Sequence, residues 1–460
     1  MTVATDATTA DARLIAAIER ARQSEFYARH LEGHTIGSRA DLPGLPLTTK
    51  DDMRDASPDG MLIVPRTRAW HYHESSGTTG EPISTWCGLP ELQQMAETVR
   101  GFVPELAGET MLLNRFPLFA PVAFVFEEVL RQAGACHIAA GNVSWDVPFT
   151  RAVEFLHRLQ PSALSCLPIE PLLLAEVAKD EGLDLRTDLG SLDVIFCGGA
   201  PLPPSLRTQI ESDWGARVVE IYGSNETMLM GVGCEQGKLH LATDLLEFEI
   251  LDPESGAPVP PGGRGIVTIT SLVHTVMPLV RYVTGDLVEI ENEPCGCGRA
   301  GFPIRVLGRM EEKISIGGRE AMHFDVLDAA HAFAAELGTR IFFVVVRPHD
   351  VQIMVEVEDP SIPIPTKAYL DLRRRVGLPL DVELVGRNES LDRSALFRTP
   401  KIYKPSLISD WRGQGRRAAT VMEALLEWPK YDASTLLHLV RRQIRTARRR
   451  RRLAKGLPEL

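Results

Sequence analysis

The feature that most limits the fold is an alternation of two hydrophobic periods. Short, unbroken apolar runs at Met111–Asn114, 193–197 and 217–221 have the length and composition of buried strands. Between them, residues 148–159 and 169–179 repeat apolar side chains at helical spacing. Buried strands separated by helices imply a mainly parallel sheet, an α/β architecture. At 460 residues the chain is too long for one compact core, so two or three domains are expected.

The texture changes after residue 245. Residues 247–251 and 265–270 alternate apolar and polar side chains on either side of a turn-rich stretch, which reads as a β subdomain. A smaller unit follows Gly308 and Arg309. It offers a helix over 325–336, strands at 341–346 and 351–357, a helix over Thr366–Val376 and a strand at 381–385. That order suits a small α+β lid. Near the start, Leu14, Ile15, Ile18, Ala21 and Phe26 predict a helix over 11–31, whereas the Pro- and Asp-rich stretch 41–66 reads as loop.

Charge and composition remove several functions. A net charge of −11 argues against nucleic-acid binding, which needs a basic face for phosphates. No apolar stretch approaches the roughly 20 residues of a membrane helix, so no membrane partner is expected. The first residues, Met-Thr-Val-Ala-Thr-Asp-Ala, lack a secretory pattern, and seven cysteines is an odd count. A reduced, cytoplasmic setting follows as an expectation. Cys87, Cys136 and Cys166 sit among apolar residues and read as core fillers. The basic run within 441–455 reads as a solvated tail, with an acidic or phosphate-bearing partner as the alternative.

Four short constellations carry the chemistry. Ser75-Ser76-Gly77-Thr78-Thr79-Gly80-Glu81-Pro82 puts small hydroxylated residues between glycines, so that backbone N–H groups and hydroxyls can approach a polyphosphate. Ile221-Tyr222-Gly223-Ser224-Asn225-Glu226-Thr227 follows a predicted strand; the aromatic ring can stack on a base and Glu226 can hold Mg²⁺. In Tyr282-Val283-Thr284-Gly285-Asp286 the carboxylate can accept from both hydroxyls of a ribose. Gly308-Arg309-Met310-Glu311-Glu312-Lys313-Ile314 falls at the domain boundary, where a hinge belongs. Any one of these is also an ordinary turn.

Their order and spacing are far more specific. Together they resemble the adenylate-forming enzymes, and within them the phenylacetate–CoA ligase branch, with its Ser-Ser-Gly-Thr-Thr-Gly loop, Tyr-Gly-x-x-Glu turn, Arg-Tyr-x-Thr-Gly-Asp, Cys-x-Cys-Gly-Arg and Gly-Arg-x-x-Asp elements. The resemblance covers roughly residues 10–410. It implies a large, multi-part N-terminal domain over 1–307 that binds ATP and the acid, a C-terminal lid over 308–412 that turns between two half-reactions, and a basic extension over 413–460. The implied activity is ATP-dependent joining of a carboxylic acid to AMP, then transfer of the acyl group to CoA or a carrier-protein thiol. An amine acceptor, as in a tailoring ligase, and a degenerate nucleotide-binding member are the alternatives. A homodimer is compatible with the resemblance.

Roles follow by motif. The resemblance puts Ser75, Ser76, Gly77, Thr78, Thr79 and Gly80 around the phosphates, and Gly199, Ala200 and Pro201 along the adenine. Tyr222, with Gly223 and Ser224 in its turn, would stack on the base. Glu226 would bind Mg²⁺, Asp286 and Arg309 the ribose, and Glu311 would sit at the hinge. A lid lysine bridging carboxylate and α-phosphate falls on Lys404, with Lys401 as the runner-up. Two positions depart from the branch: Glu81 stands where a lysine is usual, and Glu311 where Asp or Lys is usual.

Cys234, His240, Cys295 and Cys297 supply three thiols and one imidazole, a closed tetrahedral set suited to structural Zn²⁺. The resemblance sets residues 114–124 at the substrate pocket, where members that activate α-amino acids usually carry an Asp; the stretch has no acid, so an aryl or acyl acid is expected in place of an α-amino acid. Phe116, Phe119 and Phe124 are candidates to line an aromatic slot, or ordinary core.

Overall fold

The computed structural model describes residues 7–75, 82–142, 147–389 and 406–412. It begins with helices α1 (Ala7–Ala21), α2 (Glu25–His30) and α3 (Lys50–Asp55), then a hairpin of β1 (His71–Glu74) and β2 (Ser84–Cys87). Next come α4 (Leu89–Phe102), β3 (Met111–Asn114), α5 (Pro121–Ala133), β4 (Cys136–Ala139), α6 (Phe149–Leu159), β5 (Ala163–Cys166), α7 (Glu170–Asp180), β6 (Val194–Gly198), α8 (Pro204–Trp214) and β7 (Arg217–Tyr222). The antiparallel part holds β8 (Gly231–Gly233), β9 (Leu239–Leu241), β10 (Leu246–Leu251), β11 (Arg264–Ser271), β12 (Tyr282–Ile290) and β13 (Ile304–Arg309).

The alternation read from the sequence folds as expected: β4, β3, β5, β6 and β7 lie side by side and parallel. Neighbouring residues on each strand face opposite ways. Leu112, Phe196 and Val219 therefore join the core under α4 and α5, while Leu113, Ile195 and Val218 join the core under α6, α7 and α8.

The expected β subdomain is not separate. Its strands extend the same sheet, in the order β10-β11-β12-β13-β9-β8-β7, to eleven strands among the described residues. The join is narrow: β13 meets β9 through the single pair Ile304 and Leu239.

Two other expectations are corrected. The helix over 11–31 is interrupted, because the Ser24 hydroxyl accepts from Tyr27 N at 3.1 Å and starts α2 afresh. The stretch 41–66 is not all loop. Thr49 and Asp52 form a reciprocal capping box, Asp52 N to Thr49 Oγ1 at 3.1 Å and Thr49 N to Asp52 Oδ2 at 2.7 Å, which nucleates α3. Among the cysteines, Cys87 and Cys166 are buried as expected, but Cys136 is exposed, because β4 is the edge of the sheet.

After Arg309 a second, smaller core begins. A hairpin of β14 (Lys313–Ile316) and β15 (Arg319–Met322) leads into α9 (His323–Glu336), β16 (Phe342–Val346), β17 (Val351–Glu356), α10 (Thr366–Val376), β18 (Leu380–Val385) and β19 (Ile408–Asp410). The sheet runs β18-β17-β16-β19, with Val344, Ile353, Phe333 and Leu372 in its core.

A buried ion pair anchors the loops at the C-terminal ends of the parallel strands. Arg115 and Glu170 are both 0% exposed and meet at 2.9 Å. Arg115 Nη1 also donates to the carbonyls of Ala140 and Val147, and Asn142 Nδ2 donates to Glu170 Oε1 at 2.7 Å. Removing one partner leaves an uncompensated buried charge, which costs about 3–5 kcal/mol, whereas an apolar pair of similar size is often neutral. Arg115→Met should therefore lower the thermal midpoint clearly, and Arg115→Met with Glu170→Met should recover most of the loss. A single variant as stable as the parent would contradict this.

Candidate active site

Crevices beyond the carboxyl ends of parallel strands are where α/β sheets bind ligands. Here β6 ends in Gly198 and β7 ends in Tyr222. Gly199, at φ +82°, and Ala200 are exposed on the rim, and Pro201 is half-buried.

The turn after β7 requires its glycine. A Cβ on Gly223 would overlap the Met228 carbonyl oxygen. The chain folds back on itself there: Met228 N donates to Ser224 O at 2.8 Å, and Thr227 N to the Ser224 hydroxyl at 3.2 Å. Asn225 Nδ2 donates to the Glu74 carbonyl at 3.0 Å, which ties this turn to the hairpin of β1 and β2. Ser75 closes the base of that hairpin. Its N donates to Ile83 O at 3.0 Å, and its hydroxyl accepts from Ile83 N at 2.9 Å. Ser76, Gly77, Thr78, Thr79, Gly80 and Glu81 lie outside the described residues, as do Lys401 and Lys404.

Asp286 is the centre of the charged cluster. Antiparallel register sets it opposite Arg309 across β12 and β13, with Oδ1 at 3.5 Å from Arg309 Nε. Tyr222 Oη donates to Oδ2 at 3.0 Å. The Tyr222 ring is buried, and burial, reinforced by the Asp286 charge, holds its hydroxyl well above the usual tyrosine range. Burial also raises the Asp286 carboxyl, with Arg309 and the Tyr222 bond pulling the other way.

The residue that sequence reasoning missed is Lys50. A Cβ on Gly285 would come within 3.2 Å of its Nζ, so the ammonium stands beside the Gly285–Asp286 step of β12. Burial, then the Arg309 charge, lowers the Lys50 pKa, while Asp286, Glu226 and Glu311 hold it up. The signal for Lys50 is the Thr-x-x-Asp box, which makes it the first residue of α3. The site thus gathers two cations, Lys50 and Arg309, with three carboxylates, Glu226, Asp286 and Glu311. Such a mixed cluster suits a polyphosphate with its metal at one end and a diol at the other.

Beside the hairpin, the three phenylalanines separate. Phe116 stacks on Phe126 within the core. Phe124 lies 3.9 Å, centroid to centroid, from the His71 ring, and Phe119 is 44% exposed. His73 Nδ1 lies 3.1 Å from the Phe119 carbonyl and donates to it, and burial lowers the His73 pKa to about 4.

The four expected metal ligands do converge. Cys234 opens the turn after β8, His240 lies in β9, and Cys295 and Cys297 lie in the loop between β12 and β13. Cys234 Sγ is 3.7 Å from Cys295 Sγ, and Cys297 Sγ is 3.4 Å from His240 Nε2. All four ligand atoms fall within 4.8 Å of one another, as one tetrahedral ion needs. Burial pushes the Cys234 thiol up to about 11, a cost that a bound cation would reverse.

Comparison with known proteins agrees with this geometry. Residues 74–278 match the family model described as AMP-binding enzyme. A phenylacetate–coenzyme A ligase of Thermus thermophilus is 31% identical over 310 residues, which is 64% of this chain and 67% of that enzyme. One of Aromatoleum evansii is 28% identical over 274 residues, spanning 58% of this chain and 60% of the relative. Among solved structures, 2-hydroxyisobutyryl-CoA ligase in the postadenylation state superposes with a TM-score of 0.76 over 93% of both chains, at 23% identity. No helix among the described residues is long and apolar enough to cross a membrane.

Tyr222→Phe isolates the central hydrogen bond. It would leave Asp286 Oδ2 buried without its donor, at a cost of about 1–3 kcal/mol. The expected result is a lower denaturation midpoint together with weaker ATP binding by calorimetry. Parental values in both would show that the bond does not organise the site.

Proposed function

Because the chain belongs to the AMP-binding enzyme family, in its phenylacetate–CoA ligase-like branch, we propose that this AMP-forming acid ligase activates an aromatic carboxylic acid and passes it to the thiol of coenzyme A. The observation that carries the reading is the cluster of Asp286, Arg309, Tyr222, Lys50 and Glu226. In the first half-reaction a carboxylate oxygen attacks the α-phosphorus of ATP, and the bond to pyrophosphate breaks. In the second, a thiolate attacks the acyl carbon and AMP leaves.

Both reactants of the first step are anions, so catalysis is mostly positioning and charge compensation. Asp286 accepts from the ribose hydroxyls, with Arg309 beside it. Lys50 would face the phosphates, and Thr78 and Thr79 keep the phosphate-contacting role that their motif implies. Magnesium held by Glu226 would supply further positive charge against the polyphosphate. The unit over 308–412 acts as the lid, turning near Glu311, and Lys404 bridges carboxylate and α-phosphate. Support for an aryl acid is the lack of any acid in 114–124 and the placing of Phe119 and Phe124 beside the hairpin. Cys234, His240, Cys295 and Cys297 would hold a zinc ion as a structural brace, the four protein ligands supplying a full set.

ATP–pyrophosphate exchange with a panel of acids tests the function. Aryl acids should support exchange and free α-amino acids should not. Lys404→Ala should lose about 10²–10³-fold in rate. Exchange with amino acids alone would refute the aryl reading. ATP binding without any acid-dependent exchange would leave a nucleotide-binding member, to which Glu81 would then be the clue. Acid-dependent exchange without CoA thioester would move the acceptor to a carrier thiol or an amine.

For the metal, elemental analysis should find about one zinc per chain. Cys295→Ser should lower the thermal midpoint while exchange persists at low temperature. Metal-free protein that is fully folded would overturn the assignment.

A further inference from the structure

Helix α8 directly follows the rim turn of Gly199, Ala200 and Pro201, and it begins without a cap of its own. Its N-cap position is Pro203, whose side chain can accept nothing, and Pro204 follows. The next free amide, Ser205 N, donates at 2.8 Å to Asp328 Oδ1 on α9, in the smaller unit. The other oxygen of Asp328 meets Arg375 of α10 at 2.6 Å, and the same Arg375 nitrogen reaches the Ser205 hydroxyl at 3.1 Å. The carboxylate thus lies at the positive end of α8 and satisfies an amide that the helix cannot satisfy itself.

The contact continues along α8. Gln209 Nε2 donates to the Thr339 carbonyl at 3.3 Å, and Arg340 forks onto Asp213 at 2.7 and 3.0 Å, with Glu176 of α7 at 3.6 Å. With the smaller unit docked here, Glu311 stands in the same charge cluster as Lys50, Glu226 and Arg309. On the other side of the rim turn, Pro201 lies near Gly308, the residue before the boundary: a Cβ there would be 3.8 Å from the Pro201 Cγ.

We infer that Asp328 is a positioning residue for adenylation, capping α8 across the domain boundary so that the docked lid itself stiffens the turn lining the adenine. The inference rests on the lid reading above. When the lid turns for the second half-reaction the cap leaves with it, and the turn relaxes as AMP must depart. Lid position and nucleotide grip are coupled through one hydrogen bond and its arginine.

The test compares Asp328→Ala with Asp328→Asn in the full chain. Asparagine caps helices about as well as aspartate, and alanine does not. Asp328→Ala should raise KM for ATP in pyrophosphate exchange about fivefold, as expected for a lost cap, with kcat little changed. Thioester formation from supplied acyl-adenylate should stay at the parental rate. Asp328→Asn should restore KM. Independently of activity, amide hydrogen exchange at Ser205 and Leu206 should be faster in Asp328→Ala than in Asp328→Asn. Equal amide exchange in the two variants, a parental KM in Asp328→Ala, or equal loss in both half-reactions would each overturn the inference. A parent chain with no acid-dependent exchange would sink the proposed function instead, while the amide comparison would still decide the cap.

Discussion

A carboxylate taken out of water has to be matched, and Asp286 is matched from three distant parts of the chain. Tyr222 reaches it from the end of the parallel sheet, Arg309 from the neighbouring antiparallel strand, and Lys50 from the N-terminal region. Burying a charge is costly unless it is paired and hydrogen-bonded. The parts that supply partners are therefore held firmly. The N-terminal region is clasped where it matters. Tyr27 Oη accepts from Val280 N at 2.9 Å, Thr48 Oγ1 donates to Val280 O at 2.7 Å, and Thr48 N donates to Arg281 O at 3.0 Å. Arg281 completes the clasp. It forms a mostly buried pair with Glu249 at 2.8 Å and donates to the Pro43 and Leu45 carbonyls. These bonds lead the chain to Thr49, whose cap then aims Lys50 at the site.

This explains what could be read from the sequence. The parallel strands were legible because burial on both faces leaves an apolar run that a polar surface strand cannot imitate. The Tyr222 motif was legible because it is a strand followed by a tight turn. The resemblance set Asp286 and Arg309 together on the ribose, but their direct pairing was not legible in the residues, since it depends on a register with an irregularity between β12 and β13. Lys50 was hidden for a different reason. A Pro- and Asp-rich stretch looks like loop until its capping box is recognised, and its contact with Gly285 joins residues far apart in sequence. The cap on α8 was equally invisible, because a helix that starts on two prolines gives no hint of who supplies the missing acceptor.

Other differences have equally local causes. Cys136 sits in an apolar context, yet its strand lies at the sheet edge, where one neighbour is missing. Phe116 and Phe124 are close in sequence but end on different sides of a turn that Asn114 holds by accepting from Phe116 N and donating to Ala123 O. Alternation of side chains cannot announce such a turn, since the polar residue that builds it is buried.

The single-pair join between β9 and β13 divides the eleven-stranded sheet into two plates. Along most of its width neighbouring strands share several residue pairs, but β9 and β13 share one, so the join is the line along which the sheet would tear first under load. The Cys/His cluster straddles that line, with Cys234 and His240 on one plate and Cys295 and Cys297 on the other. Arg299, with its guanidinium 3.7 Å above the Phe102 ring, adds a second fastening close by. Tyr222 belongs to one plate, and Asp286 and Arg309 to the other. A rivet across the seam would fix the gap between them, so that the spacing within the charged cluster depends on a joint outside it.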